Sequence, residues 1–265
     1  MMRQPPITLV LPFYNEESFL GKTLDSLRAQ SHQDFVIHLV DNASTDGGGE
    51  IAEHFAASMP SGRVVLFREY RPGKIHALSR GIVAAKSEYV ATLDADTVYP
   101  ADYIARTLEI FGRGTDVAAV VAIGLPSPKK AERALAKARL KQSLFPGKCQ
   151  SGGFGQAFRR SDLEAVGGFD AAIWPFVLED HEIMARIGTR GRIILGWDHV
   201  CYPSDRRGLH PSAGWSLAER LLYQFMPVRA LPWYFHSYLA ARFRRRRLDN
   251  LQLRDQPWQS ASQTP

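Results

Sequence analysis

Short apolar strand patterns alternate with amphipathic helical patterns through the first 125 residues of the chain. Five runs are apolar and short enough to predict buried strands, at 7–13, 35–40, 63–67, 89–93 and 117–123. Between the first two runs, Phe19, Leu20, Leu24 and Leu27 recur with the period of one helix face. This alternation predicts an α/β fold with a mostly parallel central sheet and helices on both faces. Such sheets bind ligands beyond the carboxyl ends of their strands, which is where functional residues are expected.

The composition supports a folded core and excludes two classes of protein. With 265 residues, 45% of them hydrophobic, the chain is neither a disordered tail nor a small disulfide-stapled scaffold. Cys149 and Cys201 lack the spacing of a zinc site, so we expect a reduced, cytoplasmic protein. No uncharged apolar run reaches roughly 18 residues, and residues 7–13 predict a buried strand rather than a signal peptide. A membrane-spanning helix is therefore not expected.

The stretch after residue 125 changes character. The Ala-, Lys- and Arg-rich segment 131–144 predicts an insertion helix packed over the sheet, and 150–158 is rich in glycine. Two further helices are predicted at 161–166 and 179–187, and the second begins with two acidic residues.

Polar residues follow three of the predicted strands at the points where those strands end. Residues 14–17 follow the first strand, 41–46 the second and 94–96 the fourth. Because parallel strands end at one edge of a sheet, these three loops are expected to converge. Asn15 and Asp46 fit helix caps as well as ligand contacts, since both residue types are common at strand-to-helix turns.

Asp94 and Asp96 place two carboxylates directly after a strand, at the ligand edge of the sheet. Like charges this close repel strongly where water is excluded, and a divalent cation relieves that repulsion. Hard oxygen ligands suit Mg²⁺ or Mn²⁺, which take one or two carboxylates together with substrate phosphates. Two solvated turn aspartates are the alternative for this pair considered alone.

Six motifs, taken together and in order, resemble those of the family 2 glycosyltransferases over residues 7 to 207. They are LVLPFYNEE at 9–17, VDNASTD at 40–46, the Gly-Lys pair and following small residues at 73–81, LDAD at 93–96, GGFD at 167–170 and ED at 179–180. The resemblance implies a GT-A nucleotide-diphospho-sugar transferase fold and a divalent metal. It also implies transfer of a sugar with inversion at the anomeric carbon.

The resemblance assigns nucleotide contacts to the first two loops. Pro12, Tyr14 and Glu16 match the family's nucleotide-contacting first loop. Asp41 matches the acid that recognises the nucleobase, with Asn42 beside it, and either member of this pair is a candidate for reading the base.

Five further residues acquire roles from the same resemblance. Lys74 matches the family's lysine near the nucleotide, where an ammonium suits a phosphate. Asp94 and Asp96 resemble the metal and ribose ligands, with Asp96 as the direct metal ligand. Glu179 and Asp180 resemble the acidic pair that supplies the catalytic base; we expect Asp180 to take that role, with Glu179 capping or orienting it. The alternative is that both acids only serve the positive end of the following helix.

Basic residues after the acidic pair are candidates for contacting the leaving diphosphate and for ligating the metal. Arg206 and Arg207 are candidates for pyrophosphate contacts, because the charge of the leaving nucleoside diphosphate must be neutralised. His210 or His199 is a candidate third metal ligand. Surface arginines and core or surface histidines are the alternatives.

Positive charge is concentrated at the C-terminal end. Residues 211–265 hold eight arginines and three acidic side chains, whereas residues 1–210 are nearly neutral. Eight aromatic residues between 214 and 243 are joined by five arginines between 242 and 247. This combination predicts an anchor on an anionic membrane surface, and a packed helix pair is the alternative. Nucleic acid is not an expected partner, because a single arginine run carries no base-reading motif.

These expectations combine into three segments and one function. We expect a catalytic domain at 1–210, a helical extension and candidate membrane anchor at 211–250, and a disordered tail at 251–265. The implied activity is transfer of a single sugar from a nucleotide sugar, by expectation a UDP-sugar, to a hydroxyl of a glycan or lipid-linked acceptor. We expect the enzyme in the cytoplasm, peripheral on the inner face of the cell membrane.

Two alternatives keep the fold and change the function. One is a nucleotidyltransferase, although such enzymes usually carry a glycine-rich basic loop where residues 14–17 are Tyr-Asn-Glu-Glu. The other is a non-catalytic, membrane-recruited scaffold with a nucleotide pocket.

Overall fold

An eight-stranded mixed sheet forms the centre of the molecule. The computed structural model describes residues 4–125, 131–145, 148, 152–204 and 214–251. The strands are β1 (Ile7–Phe13), β2 (Phe35–Asp41), β3 (Val64–Arg68), β4 (Tyr89–Leu93), β5 (Thr97–Val98), β6 (Val117–Gly124), β7 (Gly155–Arg159) and β8 (Arg192–Pro203). They lie in the order β3-β2-β1-β4-β7-β6-β8-β5.

Helices connect and flank these strands. In the described ranges they are α1 (Glu17–Arg28), α2 (Gly48–Ser58), α3 (Lys74–Val83), α4 (Tyr103–Phe111), α5 (Ala131–Leu144), α6 (Arg160–Ala165), α7 (Glu179–Ile187), α8 (Leu217–Phe225), α9 (Leu231–Trp233) and α10 (Ala240–Arg246). A 3₁₀ turn (Val228–Ala230) precedes α9, and a π-helical segment (Tyr234–Leu239) joins α9 to α10.

The first four strands of the sheet order run parallel, as the alternating pattern predicts. β1 pairs with β2 along its whole length and with β4 over its first half. The carboxyl ends of β2, β1 and β4 therefore open side by side on one edge of the sheet. The predicted strand limits agree with the observed ones to within a residue at each end.

Both faces of the sheet are covered because alternate residues of β1 enter different cores. Ile7, Leu9 and Leu11 join a core with the apolar faces of α1, α2 and α4. Val10 points the other way, into a core with α3, α6 and α7. Full burial on both faces explains why these strands are continuous apolar runs.

Two features of the middle of the chain differ from the expectation. The glycine-rich stretch ends in a strand, β7, which runs antiparallel to both β4 and β6. The helix predicted at 131–144 forms as α5, but two of its leucines, Leu140 and Leu144, are exposed and the third, Leu135, is only partly buried, so these leucines form no buried apolar face over the sheet. The ring of Phe145 instead contacts the ring of Phe225 at the end of α8, with 5.5 Å between centroids.

The C-terminal helices pack on the body of the protein through a third core. Tyr223, Tyr234, Phe235 and Phe243 are buried there with Trp174, in the segment that leads into α7. The packed-helix alternative thus accounts for most of the aromatic residues that the sequence suggested for a membrane anchor. The predicted boundary at residue 210 and the tail after 251 lie outside the described residues. None of the described helices combines the length and apolar character that crossing a membrane requires.

Candidate active site

The loops that follow β1 and β2 are joined by side-chain hydrogen bonds. The Asn15 backbone N–H donates to Ser44 Oγ (3.2 Å), and Asn15 Oδ1 accepts from the Thr45 backbone N–H (2.8 Å). Asp46 accepts from the N–H groups of Glu17 (2.9 Å) and Gly48 (3.0 Å), the first residues of α1 and α2. The capping interpretation of Asp46 and the convergence of the two loops both agree with this geometry.

Residues of the first loop lie where nucleotide contacts were expected. Pro12 is buried in β1 opposite Val40. Tyr14 is half-buried in the loop, and Glu16 is almost fully buried at the position preceding α1.

Asp41 and Asn42, at the end of β2, have different surroundings. Asp41 Oδ1 accepts from the Ser44 N–H (2.8 Å), and its Oδ2 lies 3.4 Å from Arg68 Nε. Asn42 is buried: its Nδ2 donates to the carbonyls of Glu69 (3.0 Å) and Arg71 (2.8 Å). Both members of the pair thus hold their own loops in shape.

Asn42 also shapes the turn that begins α3. Its Oδ1 accepts from the Gly73 N–H (2.9 Å), so a single amide fixes the backbone of residues 69–73 from three sides. Gly73 has φ of 120°, a conformation that favours glycine, and Lys74 follows it as the first residue of α3. No sequence pattern indicated this organising role of Asn42.

Lys74 joins the end of β4 to the start of α7. Its Nζ donates to Asp94 Oδ1 at 2.5 Å and lies 3.9 Å from Glu179 Oε1. The Lys74 side chain is partly exposed, while the Asp94 carboxylate is nearly buried. Residues 74, 94 and 179, far apart in the chain, thus meet in one charged cluster.

The Asp94–Asp96 turn is held by neighbours on three elements. The Asp96 carboxylate accepts from Ser204 Oγ (2.7 Å), directly after β8, and the Ala95 carbonyl accepts from Thr23 Oγ1 (2.8 Å) in α1. The Asp94 N–H lies 3.0 Å from the buried hydroxyl of Tyr99. Ser204 was missed by sequence reasoning, because a lone serine after a strand carries no motif.

Glu179 and Asp180 form the first turn of α7 after a strained residue. Leu178 has φ of 67°, in the left-handed region that costs a non-glycine residue about 1–2 kcal/mol. Gly153 lies against this turn: a Cβ there would be 3.2 Å from Asp180 Cβ and 3.6 Å from Lys74 Nζ. The glycine-rich pattern at 150–158 was the available signal for this close approach.

The pKa values of the two acidic side chains that begin α7 are shifted in opposite directions. Burial raises the pKa of Glu179 above its ordinary value; Lys74 opposes that rise and the Asp180 carboxylate adds to it. Burial also acts to raise the pKa of Asp180, but the His181 imidazole, 3.0 Å from Asp180 Oδ1, and Lys74 outweigh it and lower that pKa. Asp180 is therefore the more acidic member of the pair, and a general base must be ionised to accept a proton.

Aromatic residues of the C-terminal region pack on His181, the residue that follows the acidic pair. The His181 ring packs on Trp215 and Tyr223, with 5.1 and 5.9 Å between centroids. His181 and Trp215 were not among the predicted site residues, since only the folded chain brings them together.

A short C-terminal strap, defined as residues 248–251, connects two parts of the site. The Val177 N–H donates to the Leu248 carbonyl (3.3 Å), and the Asn250 N–H donates to the Pro175 carbonyl (3.1 Å). At Gly73, a Cβ would lie 2.5 Å from Asn250 Oδ1. The strap thus contacts both the segment before Glu179 and the residue before Lys74.

The histidine and arginine candidates fall into two groups. His199 lies in the core: its Nε2 is 3.1 Å from Thr107 Oγ1 and its ring packs on Tyr103 of α4. Burial lowers the pKa of His199 to about 4. The expectation that His199 ligates a metal is not supported, because α4 rather than the Asp94–Asp96 turn surrounds its ring. Arg206, Arg207 and His210 lie outside the described residues.

Asp94 and Asp96 could hold a divalent cation, judged by the chemistry of their donor set. They are nearly buried hard-oxygen donors at the ligand edge of the sheet. Within the described ranges, no group of three or more His, Cys, Asp or Glu side chains could hold an ion alone. A cation here would need phosphate oxygens and water to complete its shell, which suits Mg²⁺ and Mn²⁺.

Comparisons with known proteins agree with this fold. The model of the family "Glycosyl transferase family 2" matches residues 8–167. Glycosyltransferase GlyG of Streptococcus pneumoniae is 38% identical over 93 residues, covering 35% of this chain and 30% of GlyG. A PGL/p-HBAD biosynthesis glycosyltransferase of Mycobacterium bovis is 33% identical over 112 residues, 42% of this chain and 43% of that protein. The chain thus spans less than half the length of these two curated relatives.

A solved structure extends the likeness to nearly the whole chain. The mannosyltransferase PcManGT of Pyrobaculum calidifontis, in complex with GDP-Man and Mn²⁺, superposes with a TM-score of 0.66 and 26% identity. The superposition covers 91% of this chain and 70% of PcManGT. With the family match over residues 8–167, the parallel strand edge and the acidic motifs on it, the chain has the GT-A fold and belongs to glycosyl transferase family 2.

Proposed function

We propose that the chain transfers a single sugar from a nucleotide sugar to a hydroxyl acceptor, with inversion at the anomeric carbon. The observation that carries this proposal is the cluster around Lys74, whose Nζ is 2.5 Å from Asp94 Oδ1 and 3.9 Å from Glu179 Oε1. The cluster joins the aspartates after β4 to the acidic pair of α7. Sugar transfer requires both pairs. The aspartates after β4 hold the metal that neutralises the diphosphate, and the acidic pair of α7 activates the acceptor.

Asp180 is the base in this proposal. It takes the proton of the acceptor hydroxyl as the acceptor oxygen forms a bond to the anomeric carbon. At the same time the bond from that carbon to the distal phosphate oxygen breaks, and the nucleoside diphosphate leaves. His181 holds Asp180 Oδ1 through both its ring and its backbone N–H (2.9 Å), and Glu179 orients Lys74.

The donor lies along the first two loops. Pro12, Tyr14 and Glu16 line its nucleotide part, and Asp41 reads the base, because Asn42 uses both its amide nitrogen and its oxygen on the 69–73 backbone. Lys74 faces the diphosphate from the start of α3. Arg206 and Arg207 remain predicted pyrophosphate contacts, and His210 a predicted metal ligand.

Asp96 is the direct metal ligand in this proposal, and Asp94 the ribose-side or shared ligand. An ammonium 2.5 Å from Asp94 disfavours a dication on the same oxygen, whereas Asp96 faces the hydroxyl of Ser204. When bound, Mg²⁺ or Mn²⁺ supplies positive charge that stabilises the departing diphosphate. The complex of PcManGT with GDP-Man and Mn²⁺ supports both the metal and a nucleotide-sugar donor.

Calorimetric titration with nucleotides and their sugars tests the proposal. UDP, GDP, CDP and dTDP and their common sugars are titrated with Mn²⁺ and again with a chelator. We expect one nucleotide to bind, with higher affinity when Mn²⁺ is present. A UDP-sugar is the expected donor, and the PcManGT complex makes GDP-mannose the second donor to try.

Asp96→Asn separates the metal from the nucleotide. We expect it to remove the Mn²⁺-dependent part of nucleotide affinity, while Asp34→Asn, at an exposed position, leaves that part intact. An Asp96→Asn variant whose nucleotide affinity still rises with Mn²⁺ as much as that of the wild type would contradict the metal assignment.

A further inference from the structure

Helix α8 turns an apolar face outward. Leu217, Leu221 and Phe225 recur every fourth residue on this face, and Leu217 and Phe225 are 74% and 73% exposed. Leu222 is exposed beside them. The buried side of the same helix carries Glu219 and Tyr223. This is the reverse of an ordinary surface helix, in which the apolar stripe faces the core.

Neighbouring elements extend this apolar surface. Phe145, directly after α5, contacts the Phe225 ring, and Leu140 and Leu144 of α5 are both exposed. Contiguous exposed apolar residues of this kind mark interaction sites in soluble proteins. We call the exposed leucines of α5 and α8 together with Phe225 the α8 face.

The segments that contain the α8 face, with the helices that follow α8, are strongly basic. Segments 131–145 and 214–251 contain eleven lysines and arginines and three acidic residues. One of the acids, Glu219, is buried and neutralised by Arg242 and Arg246. Exposed basic side chains on these elements include Arg133, Lys137, Arg139, Arg220 and Arg229.

This charge decides between possible occupants of the α8 face. A second copy would bring the same excess of positive charge, which opposes a symmetric contact. An anionic lipid surface complements it: leucine and phenylalanine side chains enter the acyl boundary while arginines and lysines meet the headgroups. The aromatic residues first considered for this purpose are mostly buried in the third core, so the apolar part of the contact falls to α8 and α5.

The α8 face also lies close to the chemistry. On the inner side of α8, Tyr223 and the preceding Trp215 pack on His181, the neighbour of Asp180. An α-helix with its side chains is roughly 10–12 Å across, so a lipid surface on the outer side would lie about one helix diameter from the base. A lipid-linked hydroxyl at headgroup level is the acceptor class that this placement suits.

We propose that the α8 face binds an anionic lipid surface and so presents a lipid-linked acceptor to the site. The presentation of an acceptor rests on the proposed sugar transfer, whereas lipid binding does not. Vesicle flotation tests lipid binding, with phosphatidylcholine vesicles that either contain or lack phosphatidylglycerol. The test variant is Leu217→Ser, Leu221→Ser, Phe225→Ser in the full chain. The matched control is Val65→Ser, Leu66→Ser, Val83→Ser, which removes three exposed apolar side chains elsewhere.

We expect the wild type and the control to float with the anionic vesicles, and the α8 variant to bind more than about tenfold more weakly, because burying each large apolar side chain is strongly favourable. Equal binding by the α8 variant, or no binding by the wild type, would overturn the inference. A dimeric wild type and a monomeric α8 variant would also overturn it, since the face would then bind a second copy of the chain.

Two readouts keep folding and catalysis apart from lipid binding. Thermal unfolding of the α8 variant should match the wild type, because the substituted side chains are exposed; a weaker binder that is also unfolded is replaced by the single variants Leu217→Ser and Phe225→Ser. Calorimetric titration with the nucleotides and nucleotide sugars named above, in the presence of Mn²⁺, is run without vesicles. If the wild type floats but binds none of them, the proposed transfer fails while the lipid surface stands; if it binds one of them but does not float, the reverse holds.

Discussion

The observed role of Asn42 differs most from the role that the sequence predicted. Next to Asp41, Asn42 was a second candidate for contacting the nucleobase. In the fold its amide donates to two carbonyls of the 69–73 turn and accepts from the Gly73 N–H. An aspartate there would keep the acceptor and lose both donors, leaving a buried carboxylate against two carbonyl oxygens.

Asn42→Asp should therefore lower the free energy of unfolding by about 1–3 kcal/mol, the cost of leaving buried polar groups unsatisfied. Chemical denaturation measures this change. Asn15→Asp is the matched control, because the Asn15 side-chain oxygen accepts from Thr45 and a carboxylate can do the same. Equal stability of the two variants would mean that Asn42 does not organise the turn.

At the scale of elements, buried acids tie the C-terminal helices to the rest of the fold. Glu182 of α7 pairs with Arg186 (2.6 Å) and with His236 of the π-helical segment (3.0 Å). Glu219 of α8 accepts from Arg242 (2.6 Å) and from the Ser216 N–H (2.7 Å), which also completes the cap of α8. The arginine-rich end of the chain thus has a structural duty before any contact with a partner.

Glu219 gives these helices a predictable response to acid. Burial acts to raise its pKa, but the Ser216 N–H, Arg242 and Arg246 outweigh burial and lower it. The stability that ionised Glu219 contributes through these partners is therefore fully present above the ordinary glutamate pKa of about 4.3. It is lost as the pH falls through the lowered pKa of Glu219 in the folded protein.

Thermal unfolding from neutral to acidic pH should show this loss in the wild type. Glu219→Gln should be less stable at neutral pH, by about 1–3 kcal/mol, with a shallower further loss in acid. Glu53→Gln, at an exposed position, should follow the wild type. A Glu219→Gln variant as steep in acid as the wild type would contradict the role of this pair.

The C-terminal strap predicts a functional limit to truncation. A chain ending at Leu251 keeps the strap's hydrogen bonds to Pro175 and Val177, whereas a chain ending at Arg247 loses them. Because small displacements of catalytic groups cost up to about 10²-fold in rate, the shorter chain should release nucleotide from its donor at least roughly tenfold more slowly. The chain ending at Leu251 is the control, and equal rates for the two truncations would show that the strap does not position the site.

At the scale of the whole molecule, the sequence predicted most elements and few of their contacts. Apolar patterns predicted β1 and β4 at their observed limits. Helical propensity between flanking prolines predicted α5 at its observed limits, and α7 matches the helix expected to begin at the acidic pair. β7 was missed as a strand because Gly155-Gln156-Ala157 lacks a β-rich apolar pattern and follows a run of glycines. Gly155 is needed there because a Cβ would lie 2.8 Å from Ala122 Cβ on β6.

The site divides in the same way. Strand ends predicted the loop edge, and the family motifs supplied Lys74, Asp96 and Asp180. No local pattern predicts that His181 meets Trp215 or that the strap reaches Gly73, since these contacts join residues far apart in the chain. The aromatic content of 214–243 was visible, but only packing decides which rings turn inward.

The assignment of Asp180 as the base is tested most directly by Asp180→Asn, compared with the wild type on one donor with Mn²⁺. Nucleotide affinity is measured by calorimetry, and nucleotide release from the donor is followed in the same preparation. We expect unchanged affinity and a rate reduced by about 10²–10⁴-fold, the usual contribution of a positioned base. Nucleotide release at the wild-type rate by Asp180→Asn would rule out Asp180 as the base.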